Sequence, residues 1–124
     1  MTEEPRVRFI EHQGVRILYQ DLSNLPNPSD GLALVEQFKS IVVTQPLRSV
    51  LGLTYVANSR FDKQSADAFT ALVKHNTPYM KAGAIVGPKG LQRVIYVTVS
   101  QLSGRRVNNF DSLAAAKDWL ATQA

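Results

Sequence analysis

The sequence predicts an α/β domain on a mixed, mostly parallel five-stranded sheet with about four helices, in the order ββαβαβαβα. Two observations carry this. Short apolar or alternating segments are followed, from the second onward, by segments whose apolar residues recur at three-and-four spacing. Their connections are short and rich in glycine, proline and asparagine, the pattern of strands joined by crossover helices. A third observation bounds the answer: 124 residues, 44% hydrophobic and 19% charged, with no internal repeat, fit one domain over residues 1–124.

Arg6 to Glu11 alternates, with Val7 and Phe9 on one face and Arg6 and Arg8 on the other, and predicts a strand. His12-Gln13-Gly14 makes a turn, and Val15 to Asp21 completes a hairpin. Pro26 to Asp30 reads as a loop in which Ser29 or Asp30 is a natural N-cap. The helix that follows turns Val35, Phe38, Ile41 and Val42 to one face, and Pro46 stops it. Ser49 to Thr54 lacks clean alternation, which predicts a central strand. Asp62 to His75 is the next helix, with Ala66, Phe69, Leu72 and Val73 inward and Asn76-Thr77-Pro78 ending it. Ala82 to Val86 is the fourth strand. Leu91 to Leu102 is rich in β-branched residues, yet Leu91, Val94, Ile95, Thr98 and Leu102 keep helical spacing, and Gly104 stands where a C-terminal cap belongs, so a third helix is expected. Val107 to Phe110 is the last strand. Asp111 or Ser112 caps a final helix that turns Leu113, Ala116, Trp119 and Leu120 inward.

The absence of cysteine removes disulfides, thiolate metal sites and cysteine nucleophiles. The net charge is +4 and the pI about 9.6, but the basic residues are scattered and the longest run is Arg105-Arg106, whereas a nucleic-acid interface requires a concentrated basic stripe. No nucleic-acid partner is expected. The stretch from Ala82 to Leu102 is interrupted by Lys89 and Arg93, so no membrane span is expected. The first five residues, Met1-Thr2-Glu3-Glu4-Pro5, read as a flexible polar lead unlike a signal peptide, and a cytoplasmic location is the expectation.

Pro78-Tyr79-Met80-Lys81-Ala82, Val86-Gly87, Gly90-Leu91, Phe110-Asp111-Ser112-Leu113 and Ala116-Lys117-Asp118-Trp119-Leu120, taken with the element order, resemble the bacterial SpoIIAA-like proteins of the STAS type. The similarity runs from about Val7 to Leu120. The resemblance implies a small cytoplasmic α/β domain, related in fold to anti-sigma-factor antagonists and to CRAL-TRIO lipid-binding domains. In the antagonists a partner kinase phosphorylates a serine of an Asp-Ser-Ser-Gly-like motif at a helix start. The corresponding stretch here is Val56-Ala57-Asn58-Ser59-Arg60-Phe61-Asp62, where Ser59 lacks both the preceding aspartate and the following Ser-Gly. The location carries over and the activity does not.

Ser59-Arg60-Phe61-Asp62 also matches the helix-capping pattern S/T-x-x-D/E, in which the serine oxygen accepts from a backbone N–H of the first turn. A phosphate on Ser59 would face Arg60 and a helix N-terminus, both of which favour negative charge. His12, in the hairpin turn, and His75, at a helix end, read as surface residues, since a metal site needs several converging ligands. Gly87-Pro88-Lys89-Gly90 could turn backbone N–H groups to an anion, but it lacks the spacing of a dinucleotide or phosphate loop. Asp62 and Asp67 fall on different helix faces and form no carboxylate pair. Tyr55 and Tyr79 adjoin strand ends, where open α/β sheets bind ligands.

Two functions follow. One is a noncatalytic regulatory or protein-interaction module of STAS type, without a cofactor or a metal, acting on a protein partner through Asn58, Ser59, Arg60 and Asp62. The other is a small-molecule or lipid-binding domain of CRAL-TRIO kind, with a pocket beside Tyr55 and Tyr79. A homodimer is the expected assembly for a small domain of this type.

Overall fold

Counting outward from a two-residue turn fixes the first hairpin. Gln13 (φ 53°) and Gly14 (φ 76°) are both left-handed, the geometry whose twist matches the strands it joins. It sets β1 (Val7–His12) antiparallel to β2 (Val15–Asp21), with His12 opposite Val15 and Val7 opposite Gln20. The computed structural model describes residues 5–25, 27–58, 63–87 and 107–124. After β2 come α1 (Pro28–Val42), β3 (Val50–Tyr55), α2 (Lys63–Asn76), β4 (Met80–Val86), β5 (Val107–Phe110) and α3 (Leu113–Thr122). The five strands form one mixed sheet in the order β1-β2-β3-β4-β5, parallel everywhere except the β1–β2 pair. The described residues thus hold three of the expected helices. The one predicted over 91–102 lies outside them, as do Met1 to Glu4.

The parallel strands step across the sheet in one direction. Right-handed crossovers then send α1 and α2 to the same face. Val35, Phe38 and Val42 of α1 and Phe69, Leu72 and Val73 of α2 pack there against Leu18, Val50 and Ile85. On the other face, Ala116 and Leu120 of α3 cover Ile17, Leu51, Leu53 and Val86. Small residues on both sides, Ala82, Ala84 and Ala116, let that helix approach closely. β3 is the central strand, buried from Val50 to Thr54, as its unbroken apolar run requires.

β1 and β3 each lie one residue later than expected, and three further boundaries differ from the sequence reading for a local reason. Helix α1 starts at Pro28, with Asn27 and not Ser29 or Asp30 at the N-cap. Proline at the first helical position loses only an N–H that would have no partner in the helix, so it opens the helix and does not delay it. Strand β4 starts at Met80 and not Ala82, because Val50 pairs with Met80 while Leu51 pairs with Ala82. Lys81 is the extra residue of that bulge and points to solvent. Asn76 closes α2 from inside the helix and is 1% exposed. Ser112 caps α3 as expected, accepting from the Ala115 N–H at 3.2 Å.

His12, read as an isolated surface residue, joins the end of β1 to α3. Its Nε2 lies 2.7 Å from Oδ1 of Asp118 on α3, and Gln13 Nε2 donates to the same oxygen at 3.1 Å. His75 is exposed and contacts only its neighbour's amide among the bonds described, at 2.9 Å.

Two predictions follow from this packing. A Cβ built on Gly52 would lie 2.6 Å from the Met80 methyl and 3.4 Å from Phe38. Gly52→Val should therefore cost about 1–3 kcal/mol in urea unfolding, and less than additively when combined with Met80→Ala. Tyr19, 8% exposed, has its phenol pushed up to about 12, first by burial and then by the Asp21 carboxylate, while Arg8 over its ring opposes the shift. The neutral form is favoured by folding, so this contribution is intact below pH about 10 and is lost as pH rises towards about 12. Unfolding midpoints measured across that range should fall with pH, and Tyr19→Phe should flatten the fall.

Candidate functional site

The C-terminal ends of the parallel strands are bound together past the sheet itself. Leu22 N–H donates to Tyr55 O at 2.7 Å and Asn24 N–H to Ala57 O at 3.0 Å. On the other side of β3, Val56 N–H donates to Val86 O at 2.9 Å, and Gly87 N–H to Phe110 O at 3.2 Å. The exits of β2, β3, β4 and β5 therefore form a continuous rim with fixed backbone positions. Three of its residues are left-handed: Asn24 and Asn58, each at φ 58°, and Gly87 at φ 90°. Asparagine tolerates that conformation better than most side chains. Gly87 is also required by space, since a Cβ there would lie 3.1 Å from both the backbone nitrogen and the Cβ of Ala57.

A polar cluster buttresses one end of this rim. Arg6 Nη1 donates to Asp21 O at 3.1 Å and to Ser23 O at 2.9 Å, with the Asp21 carboxylate 3.7 Å away. The Ser23 N–H (2.9 Å) and hydroxyl (2.5 Å) both donate to that carboxylate. Arg6 thus closes the exit of β2, and Asn24 stands exposed beside it. None of these residues stood out as a site in the sequence. The signal was there, however: counting back from the Gln13-Gly14 turn puts Arg6 opposite Asp21.

Of the site residues expected from the sequence, Tyr55 and Asn58 come to this rim. Asn58 is exposed, and Tyr55, the last residue of β3, is half-buried on the α3 face. Ser59, Arg60 and Asp62 lie outside the described residues, as do Pro88, Lys89 and Gly90. Tyr79 is elsewhere. It precedes β4 at the opposite end of the sheet and packs on the α1/α2 face. Val50 pairs with Met80 and Tyr55 with Val86, so the two tyrosines are separated by the length of a strand, roughly 20 Å, and by the sheet. They do not share a pocket. The strand order also never reverses among β2 to β5, and reversal is what opens a ligand crevice in such sheets.

A second polar feature lies inside the domain. A cavity of about 20 Å³ sits on the α1/α2 face, with Gln20, Thr54 and Asn76 among its lining residues. Gln20 Nε2 donates to Thr54 Oγ1 at 2.9 Å. The volume is of the order of a single water molecule and far below that of a lipid chain. Among the described residues no group of three or more histidines, aspartates or glutamates converges to hold a metal. No described helix is long and apolar enough to cross a membrane.

No protein-family model matches the chain, and no curated protein or solved structure matches it either.

Proposed function

We propose that this chain is a noncatalytic interaction module of STAS type that meets a protein partner at the rim formed by the strand exits. The observation that carries the reading is the rim itself. Four backbone hydrogen bonds beyond the sheet fix the exits of β2 to β5, so exposed Asn24 and Asn58 are presented from a rigid base. Recognition surfaces are commonly loops held by such a scaffold, because little ordering entropy remains to be lost on binding. The Arg6–Asp21–Ser23 cluster adds to that rigidity at the β2 exit. The SpoIIAA-like resemblance points to the same segment, just after Asn58. A phosphoserine switch is not part of the proposal, because Asn58-Ser59-Arg60 lacks the acidic and Ser-Gly residues of the antagonist motif.

A photo-crosslinking side chain placed at Asn58, at Asn24 and, as a control, at exposed Lys74 tests this in cells of the source organism. Thermal unfolding first establishes that each variant is folded. The expected result is one shared covalent adduct from positions 58 and 24 and none from 74. Loss of the reading would follow from no adduct at either rim position, or from the same adducts at all three.

A further inference from the structure

Strands β3 and β4 set two glycines side by side, Gly52 opposite Gly83, in the middle of the sheet. No side chain rises there, and a trough is left on the α1/α2 face. The Met80 thioether lies over Gly52, Val107 lies beside Gly83, and Phe38, Phe69 and Leu72 close over the top. What remains is the cavity of about 20 Å³.

Two side-chain amides at this cavity carry unmatched polar atoms. Gln20 and Asn76 are each 1% exposed. Gln20 spends its Nε2 on Thr54, and its Oε1 has no protein partner. Asn76 Oδ1 is met by His75 Nδ1 at 2.9 Å, and its Nδ2 has no protein partner. One atom is an acceptor and the other a donor. Turning either amide over exchanges its nitrogen and oxygen but still leaves one polar atom without a match. Native interiors hold few such atoms, and two at one cavity call for a physical account.

We propose that the cavity is a built site for one long-lived water molecule, which donates to Gln20 Oε1 and accepts from Asn76 Nδ2, bridging β2 to the last turn of α2. The size fits, since one water needs about 10–15 Å³ of such volume. The chemistry fits as well. Thr54 Oγ1 accepts from Gln20 and keeps its own proton, which gives the water a third partner on the same wall. Buried waters typically make about three hydrogen bonds. The site belongs to the interior and is independent of the partner surface proposed at the rim.

Gly83→Ala separates a hydrated cavity from a dry one by sign. A Cβ at Gly83 would meet Val107 at 3.6 Å, an ordinary contact, so the methyl enters without a clash. If water occupies the site, the methyl displaces it, strands both amide atoms and lowers Tm. If the site is dry, the methyl fills a void and Tm rises. In the wild-type chain, nuclear Overhauser spectra should show a cross-peak between a long-lived water and the Asn76 side-chain amide protons. Gly83→Ala should abolish it, and Gln20→Met should weaken or abolish it. No such cross-peak in the wild type, a raised Tm for Gly83→Ala, or a cross-peak untouched by Gln20→Met would each overturn the proposal. The wild-type spectrum decides the matter even where a variant does not fold.

Discussion

The structure depends on burying one strand from both sides. Val50, Leu51 and Leu53 of β3 are almost fully covered, yet Val50 lies on one face of the sheet and the two leucines on the other. Each such side chain is worth about 1.5–3 kcal/mol only if the layer over it is complete. The domain therefore needs a cover on each face. α1 and α2 supply one as a natural result of right-handed crossovers stepping in a single direction. On the other face the described cover is α3, which follows β5. The alanines at its contact and the glycines on the opposite face are adjustments to these two covers.

Much of this was legible in the residues. The central place of β3 could be read from its unbroken apolar run, and β5, the cap at Ser112 and the inward faces of α1 and α3 from spacing alone. The misreadings share a cause, a residue type with two structural uses. Pro28 looked like loop and opens a helix. Lys81 stood outside a strand expected to begin at Ala82, and is the extruded residue of a bulge within it. Asn76 looked like a helix stop and is a buried polar group. The site was less legible. Position next to a strand end does not say which end of the sheet or which face, and that is how Tyr55 and Tyr79 came to be grouped. The contact of His12 with Asp118 spans 106 positions and leaves no local mark.

The two polar features divide the molecule's hydrogen bonding between backbone and side chain. At the rim, main-chain groups of neighbouring exits satisfy one another, leaving the side chains of Asn24 and Asn58 outward. In the interior the side-chain amides of Gln20 and Asn76 each carry a polar atom that no described protein group meets. Backbone satisfaction gives the rim its stiffness. Side-chain excess gives the interior a place for a small hydrogen-bonding guest.

The order in which the two faces are covered has a consequence for synthesis. Chains emerge from the ribosome N-terminus first, and each α/β step can collapse onto the sheet as it appears. Among the described residues, the helical cover of the face of Ile17, Tyr19, Leu51 and Leu53 comes from α3 alone. That cover is in place only once Leu113–Thr122 has cleared the exit tunnel. Every element from β1 to β5 must therefore be made before α3 can shield this face. A chain truncated within α3 would lose the cover that Ala116 and Leu120 give this face, a liability for aggregation and a natural mark for chaperones and proteases.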